Sequence, residues 1–282
     1  MHCDCHIHMI LDGLHWKTAI ARHAAGPDLS FIRETLETYR QLGYTYLRDG
    51  GDRWGAGKQA RAMAREFGIV YKTPLSPLCK AGHYGSFLGE KYENLKEFAA
   101  LVEKQRQQGA DFIKIMISGL MDFDHFGRLS EAGLPAEEIR ELIHIAHGAG
   151  FSVMAHANGA RTVEAAAVAG VDSVEHGAYL DQNALAAMAD HGTVWVPTLS
   201  AIGNLRNKGR FSQADVERIL ESSMENVASF AQMGGLVACG SDAGAWAVGH
   251  GCETEMALLA QALGKNCREI VKRGNARIQE KF

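Results

Sequence analysis

Hydrophobic and polar positions follow two different periods along this chain. Short runs rich in β-branched and aromatic residues alternate with longer segments whose apolar residues recur every three or four positions. The strand candidates are CDCHIHMI from Cys3, YTYLRD from Tyr44, IVYKTPL from Ile69, DFIKIMI from Asp111, SVMAHA from Ser152, DSVEHG from Asp172, TVWVPT from Thr193 and LVACGSD from Leu236. Because a helix-like segment follows each run, the order predicts an α/β fold, namely a closed (β/α)8 TIM barrel.

The helix candidates are recognised by their ends. The segments LSFIRETLETYRQLG, LKEFAALVEKQRQQG and LPAEEIRELIHIAHGAG each have an apolar face and stop at a glycine, the residue that most readily takes the left-handed conformation. Two long connections follow strand candidates, at residues 11–28 and 79–90, and no linker divides the chain. We therefore predict a single domain over residues 1–282.

Composition and charge limit the choice of partner. The chain has 282 residues, of which 46% are hydrophobic, and its 29 basic residues are balanced by 33 acidic ones. This balance provides no basic field for nucleic acid or for an anionic membrane surface. No apolar run approaches the ~20 residues that span a bilayer, and the start MHCDCHIHM lacks the regions of a signal peptide. We expect a cytoplasmic protein whose partner is a small molecule.

Ionisable side chains at strand ends give the functional signal. A barrel strand is buried on both faces, so it tolerates such groups only when they are paired or bound to metal. The residues of this kind are His6, His8, Lys114, His156, His176 and Asp242. Strand side chains alternate with period two, so His6 and His8 point to the same side and could bind one ion together.

Lys114 does not fit a metal site as an ordinary lysine. A buried ammonium beside bound metal cations would be strongly unfavourable. Lys114 must therefore be neutral, lie elsewhere, or be converted chemically to an anion. A second basic residue, Arg48, closes the second strand candidate in LRDGG, and we expect it to pair with Asp49 or Asp52 rather than with substrate.

Several pieces of the chain, in order, match a known pattern: DCHIHM, LRDGGD, DFIKIMISG, VMAHANGA, GVDSVEHGAYLD, VPTLS, GSDAGA and HGCETEMALL. The sequence resembles the amidohydrolase superfamily over nearly its whole length. It is most similar to the binuclear group that includes imidazolonepropionase-like amidohydrolases and Xaa-Pro or Arg/Lys dipeptidases. The resemblance implies two divalent metals, with zinc as the default, and a Lys114 carboxylated by carbon dioxide to a bridging carbamate.

The resemblance also implies the roles of the other residues. His6, His8 and Asp242 would bind the more buried metal, and His156 and His176 the more exposed one. A hydroxide bridging the metals would attack the carbonyl, with Asp242 acting as base and then as acid. His83 and Tyr179 stand at positions similar to those that contact substrate in related dipeptidases.

Several functions remain open from the sequence. The leading expectation is hydrolysis of an amide such as a dipeptide, an N-acyl amino acid or a cyclic amide. A lactonase or other esterase could use the same metals, and a catalytically silent metal-binding barrel belongs to a different class. A mononuclear deaminase fits less well, because such members usually lack the lysine that stands here as Lys114.

The chain departs from the family pattern at both ends. Members of the group usually carry a small β-sandwich built from segments before the first strand and after the last helix, whereas here Met1 stands directly before the first strand candidate. Either this is a barrel without the flanking sandwich, or its ends have been trimmed. Barrel surface that the sandwich would cover leads us to expect self-association into a homo-oligomer.

Overall fold

The computed structural model describes residues 2–282, and Met1, with its predicted place before the first strand, lies outside the described residues. The strands are β1 (His2–Ile7), β2 (Tyr44–Asp49), β3 (Val70–Lys72), β4 (Leu78–Lys80), β5 (Glu90–Tyr92), β6 (Ile113–Met116), β7 (Val153–Ala157), β8 (Ser173–His176), β9 (Val194–Val196) and β10 (Leu236–Val237). The α-helices are α1 (Trp16–Arg22), α2 (Leu29–Gln41), α3 (Ala56–Ala64), α4 (Leu95–Gln108), α5 (Ala136–Gly148), α6 (Ala160–Val168), α7 (Gln182–Asp190), α8 (Ser200–Gly203), α9 (Gln213–Gln232), α10 (Thr254–Leu263) and α11 (Cys267–Lys281).

All the strand pairs are parallel, and they form two sheets. One sheet has the order β1-β2-β3 and the other the order β10-β9-β8-β7-β6-β4-β5. Backbone hydrogen bonds join β1 to the segment after β10: the amide of Cys5 donates to the carbonyl of Cys239 over 2.8 Å, and that of His8 to Ala243 over 2.7 Å. The first strand and the segment after the last strand are therefore neighbours.

The predicted closed ring of eight strands is seen only in part. In residues 2–282 the pairing forms a three-stranded and a seven-stranded sheet rather than one continuous ladder. The last predicted strand, which starts at Leu236, has only two residues in β10. Asp242 lies beyond it with a φ of 57°, which is outside the extended region and interrupts regular pairing.

The helices form for the reasons that the sequence suggests. Helix α2 begins after Asp28, whose carboxylate accepts from the amides of Ser30 and Phe31, and it buries Ile32 and Leu36 on one face. Helix α4 ends at Gly109, which has a φ of 75°. Both helices match their predicted segments to within two residues. Among the described residues, no helix has the length and apolar content needed to cross a membrane.

The segment after β3 is more structured than the sequence indicates. Residues 79–90 are predicted as a loop, yet their ends belong to β4 and β5. Strand β4, rather than β3, pairs with β6, through Leu78 with Ile115 and Cys79 with Met116. The loop between β4 and β5 is consequently held at the carboxyl end of the larger sheet, beside the residues of the candidate site.

Candidate functional site

The ionisable residues singled out in the sequence meet in one cavity at the carboxyl ends of the strands. They are His6 in β1, His8 directly after it, Lys114 in β6, His156 in β7, His176 at the end of β8 and Asp242 after β10. The cavity has a volume of about 920 Å³. The carboxyl ends of parallel strands are where α/β barrels place their active sites.

Three ligand-type atoms lie close together at the base of this cavity. Nε2 of His6 is 3.3 Å from Nε2 of His8, and Oδ1 of Asp242 is 3.5 Å from the first and 3.3 Å from the second. Two imidazoles and a carboxylate are a donor set that suits zinc and similar divalent ions. These three residues therefore fit a metal ion.

His156 and His176 form a second pair beside this group. Their ring centroids are 4.6 Å apart, and the ring of His176 is 5.1 Å from that of His6. Nε2 of His156 donates to the carbonyl of Gly119 over 3.2 Å, and Nδ1 of His176 lies 2.7 Å from Oγ1 of Thr198. Each ring is thus held through one nitrogen, which leaves the other as a possible ligand.

The protonation states of these histidines favour metal binding. Burial, together with the positive charge of Lys114, lowers the pKa of His156 to about 3. Burial also holds the pKa of His6 and of His176 well below the usual value. These rings are neutral at physiological pH, so their lone pairs are available to a cation.

Lys114 occupies an unusual environment for a lysine. Its side chain is 1% exposed, and its Nζ has no hydrogen-bond partner among the described residues. Burial lowers the pKa of its ammonium to about 8. A neutral amine, the form that reacts with carbon dioxide, is therefore accessible near neutral pH, and the unpaired Nζ fits a carbamate better than an ordinary ammonium.

Glu175 holds His6 in the orientation that a ligand needs. Nδ1 of His6 donates to Oε2 of Glu175 over 2.6 Å, so Nε2 is the unprotonated nitrogen that faces His8 and Asp242. Oε1 of Glu175 accepts from Arg48 over 2.8 Å and from Ser173 over 2.6 Å. Glu175 therefore fixes the tautomer of His6, as carboxylates that hydrogen-bond to metal-binding histidines commonly do.

The prediction that Arg48 pairs with Asp49 or Asp52 is wrong. Arg48 is fully buried and donates to the carbonyl of Cys5 over 2.7 Å and to Oγ of Ser173 over 2.9 Å, in addition to Glu175. Asp49 and Asp52 accept other donors, because Asp52 caps the start of α3 and Asp49 accepts from the amide of Met9. A buried guanidinium needs several acceptors at once, and its sequence neighbours do not supply them.

Two of the proposed ligands have strained backbones. His176 has a φ of 68° and Asp242 a φ of 57°, in a region that residues other than glycine seldom adopt. Such strain persists only where the surroundings enforce it, and it is concentrated at functional sites. In addition, a Cβ on Gly50 would collide with the imidazole of His8, so only glycine leaves room for that ring.

The two predicted substrate contacts lie away from the lining of the cavity. Nδ1 of His83 is 3.6 Å from Oε1 of Glu131, and its side chain is 36% exposed. Tyr179 packs against Phe126, with ring centroids 5.5 Å apart, and its hydroxyl is buried without a partner among residues 2–282. From the same loop as His83, Tyr84 lines the cavity instead, with its ring 4.8 Å from that of His156.

The comparison with known proteins follows this geometry. A model of the amidohydrolase family matches residues 29–279, which is most of the chain. The chain belongs to the amidohydrolase family. This assignment makes it a hydrolase, and members of the family typically bind metal ions. The match begins after His6 and His8, so the family assignment is independent of that pair.

Curated relatives of this amidohydrolase are distant in sequence. An uncharacterized protein of Mycobacterium tuberculosis (strain ATCC 25618 / H37Rv) is 26% identical over 279 residues, covering 93% of this chain and 71% of that protein. Ochratoxinase of Aspergillus niger is 24% identical over 311 residues, covering 97% of this chain and 63% of that enzyme.

Solved structures support the fold of this amidohydrolase. A Xaa-Pro dipeptidase with bound methionine in its active site superposes with a TM-score of 0.79 at 20% identity, covering 99% of this chain and 74% of that one. The ochratoxinase of A. niger also gives 0.79, at 21% identity, covering 99% and 70%. The likeness is consistent with a TIM-barrel-like architecture.

Replacing Glu175 tests its role in orienting His6. Glu175→Gln presents an amide donor toward His6, so the ring would move its proton to Nε2 and lose that ligand atom. We expect the affinity for divalent metal to fall by about 10- to 100-fold. Competition with a chelator measures this change. The matched control is Ser173→Ala, which removes a neighbouring hydrogen bond but leaves the contact between His6 and Glu175, and equal losses in both variants would contradict the role.

Proposed function

We propose that this amidohydrolase hydrolyses an amide bond of a small molecule with the help of two divalent metal ions. The observation that supports this most directly is the cluster of His6, His8 and Asp242, whose ligand atoms lie within 4.8 Å of one another at the base of a large cavity. Both histidines lie at the end of one strand, so the backbone holds their Nε2 atoms side by side, 3.3 Å apart.

The residues of the site divide the work of holding the ions. His6, His8 and Asp242 would hold one ion, and His156 and His176 the other. Lys114, converted by carbon dioxide to a carbamate, would be shared between them. Zinc is the metal that we expect first, because imidazole and carboxylate are its common ligands. Bound metals would supply a water molecule that ionises near neutral pH and would polarise the amide carbonyl.

Asp242 moves the proton in this scheme. Its Oδ1 faces both Nε2 atoms of the first histidine pair, and its side chain is 11% exposed, so it reaches the cavity. The carboxylate can take the proton of the attacking water and give it to the departing amine. The neutral histidines do not compete for that proton, because burial lowers the pKa of His6, His156 and His176.

The architecture serves this role as one unit. We propose that the two sheets act as a single TIM-type barrel over residues 1–282, and that its partner is a small-molecule substrate. His83 and Tyr179 remain predicted substrate contacts. Because neither residue lines the cavity, each would reach the substrate only if its loop moved.

The experiment combines metal analysis with a substrate panel. Purified protein is analysed for metal content per chain and assayed on N-acyl amino acids, dipeptides, cyclic amides, lactones and aryl esters. We expect about two metals per chain and turnover of an amide. Turnover of lactones or esters alone would favour an esterase, ammonia release with about one metal a deaminase, and metal binding with no turnover a silent barrel.

A further inference from the structure

The size of the cavity limits the class of substrate. Its volume of about 920 Å³ is near the upper end of the ~300–1000 Å³ of pockets that enclose drug-sized ligands. The six ligand residues occupy only its base, and most of the other lining residues are apolar. A small dipeptide would leave much of this apolar surface in contact with water, so the shape favours a bulky and largely apolar substrate.

One side of the cavity is an aromatic wall, here called the first wall, formed by Trp16, Tyr84 and Phe87. The ring centroids of Trp16 and Phe87 are 5.4 Å apart, and those of Tyr84 and Phe87 are 5.7 Å apart. Tyr84 also packs against His156, so the wall extends from the ligand cluster out to Trp16, which is 48% exposed.

A second wall lines the same cavity and consists of Phe123, Phe211 and Trp246. The centroids of Phe123 and Phe211 are 5.2 Å apart, and those of Phe211 and Trp246 are 6.0 Å apart. The amide of Ser212 donates to Oδ1 of Asp124 over 2.8 Å and holds two of the contributing loops together. Planar groups gain more from such walls than aliphatic groups of equal size, because aromatic rings add specific edge and face contacts.

Arg210 provides a positive charge in this cavity. It is exposed, and its guanidinium stacks over the rings of Trp246 at 4.5 Å and Phe211 at 5.0 Å. No carboxylate of residues 2–282 forms a salt bridge with it. The stacking fixes the plane of the guanidinium and leaves its N–H groups free to bind an anion.

The cavity offers less to a positively charged substrate. Apart from Asp242, its lining carboxylate is Asp122. Asp122 accepts from the ring of His125 over 2.8 Å and from the amide of Asp124 over 3.0 Å. Among the described residues that line the cavity, a free α-ammonium would therefore find only Asp122 outside the ligand cluster, which already accepts two hydrogen bonds, whereas a free carboxylate would find Arg210.

We infer that the substrate is an N-acyl amino acid whose acyl group is a bulky aromatic ring system and whose free carboxylate binds Arg210. This inference rests on the proposed function and specifies its substrate class. Water adds across the amide: its oxygen forms the new bond to the acyl carbon, the C–N bond breaks, and the proton passes to the amine. The products are an aromatic carboxylic acid and a free amino acid.

Binding of sulfonamide analogues tests this class without depending on turnover. Naphthalene-2-sulfonylglycine, its methylamide and methanesulfonylglycine are titrated into the purified 282-residue protein by isothermal calorimetry. We expect the naphthalene acid to bind about tenfold more tightly than the methanesulfonyl acid, because only the former fills the space between the walls. In Arg210→Gln we expect the acid to lose about tenfold in affinity and the methylamide to be unaffected.

Arg206→Gln is the matched control, since Arg206 lies in the same loop, donates to the carbonyl of Gly203 and does not line the cavity. Equal affinity for the two acids would overturn the aromatic assignment, and equal losses in the two arginine variants would overturn the role of Arg210. Hydrolysis of 2-naphthoylglycine and N-acetylglycine is measured in parallel. Selective binding without hydrolysis of any amide would support the ligand class while contradicting the proposed function, and hydrolysis without selectivity would do the reverse.

Discussion

Substituting Asp242→Asn is expected to lower kcat by about 10²- to 10⁴-fold, the usual contribution of a positioned general acid and base. Asparagine has nearly the same shape, and Asp242 is largely buried at 8% exposure, so the fold should be retained. The amide cannot accept the proton of the attacking water. The measurement is kcat on the best amide substrate at saturating metal, with the melting temperature and the metal content recorded for each variant.

Asp190→Asn is the control for this experiment. Asp190 is an exposed carboxylate at the end of α7 and does not line the cavity. Its variant should turn over substrate as the parent enzyme does. If Asp242→Asn retained full activity, Asp242 would have no part in proton transfer, and a fall in metal content alone would assign it only a ligand role.

The sequence predicts the framework of this amidohydrolase well where local rules decide. The run YTYLRD corresponds to β2 residue for residue, and α4 lies within its predicted segment. The period of two also places His6 and His8 correctly on one side, with Nε2 atoms 3.3 Å apart, although His8 lies just beyond the end of β1. Strand alternation and helix capping are short-range effects, so they can be read from neighbouring residues.

The role of Glu175 shows where the same rules fail. Alternation would send Glu175 and His176 to opposite faces, yet both reach His6, because His176 has a φ of 68° and leaves the extended conformation. The signal that was present is the acidic residue inside a buried strand. The partner of Arg48 is similarly out of reach, since Glu175 is 127 positions away and only the folded chain brings them together.

The walls of the cavity are the least predictable part. The sequence offers three equal candidates for lining the pocket, because each follows a strand candidate: Trp16, Trp54 and Trp246. Trp16 and Trp246 line the cavity, whereas Trp54 packs against the core around β1 and β2. The conformation of each loop decides the outcome, and no period in the sequence describes a loop.

Replacing Lys114 should lower both the metal content and the activity. In Lys114→Ala we expect the metal content to fall from about two per chain to one or none, and kcat/KM to fall by about 10³-fold, because the lost ion supplies several kcal/mol of transition-state stabilisation. Lys114→Met is the matched variant that preserves the packing around this buried side chain. Lys96→Ala, on the exposed face of α4, controls for the loss of a lysine alone.

The stability of the metal-free protein separates a functional lysine from a structural one. Nζ of Lys114 is buried without a partner among residues 2–282, so an ammonium there destabilises the fold. Lys114→Met should therefore be at least as stable as the parent when both are stripped of metal. Incubation with ¹³C-labelled bicarbonate should give the parent, but not Lys114→Met, a carbamate carbon signal. A variant that kept both metals and full activity would contradict the carbamate. If the variant lost metal while gaining stability, Lys114 would be present for binding metal rather than for holding the fold together.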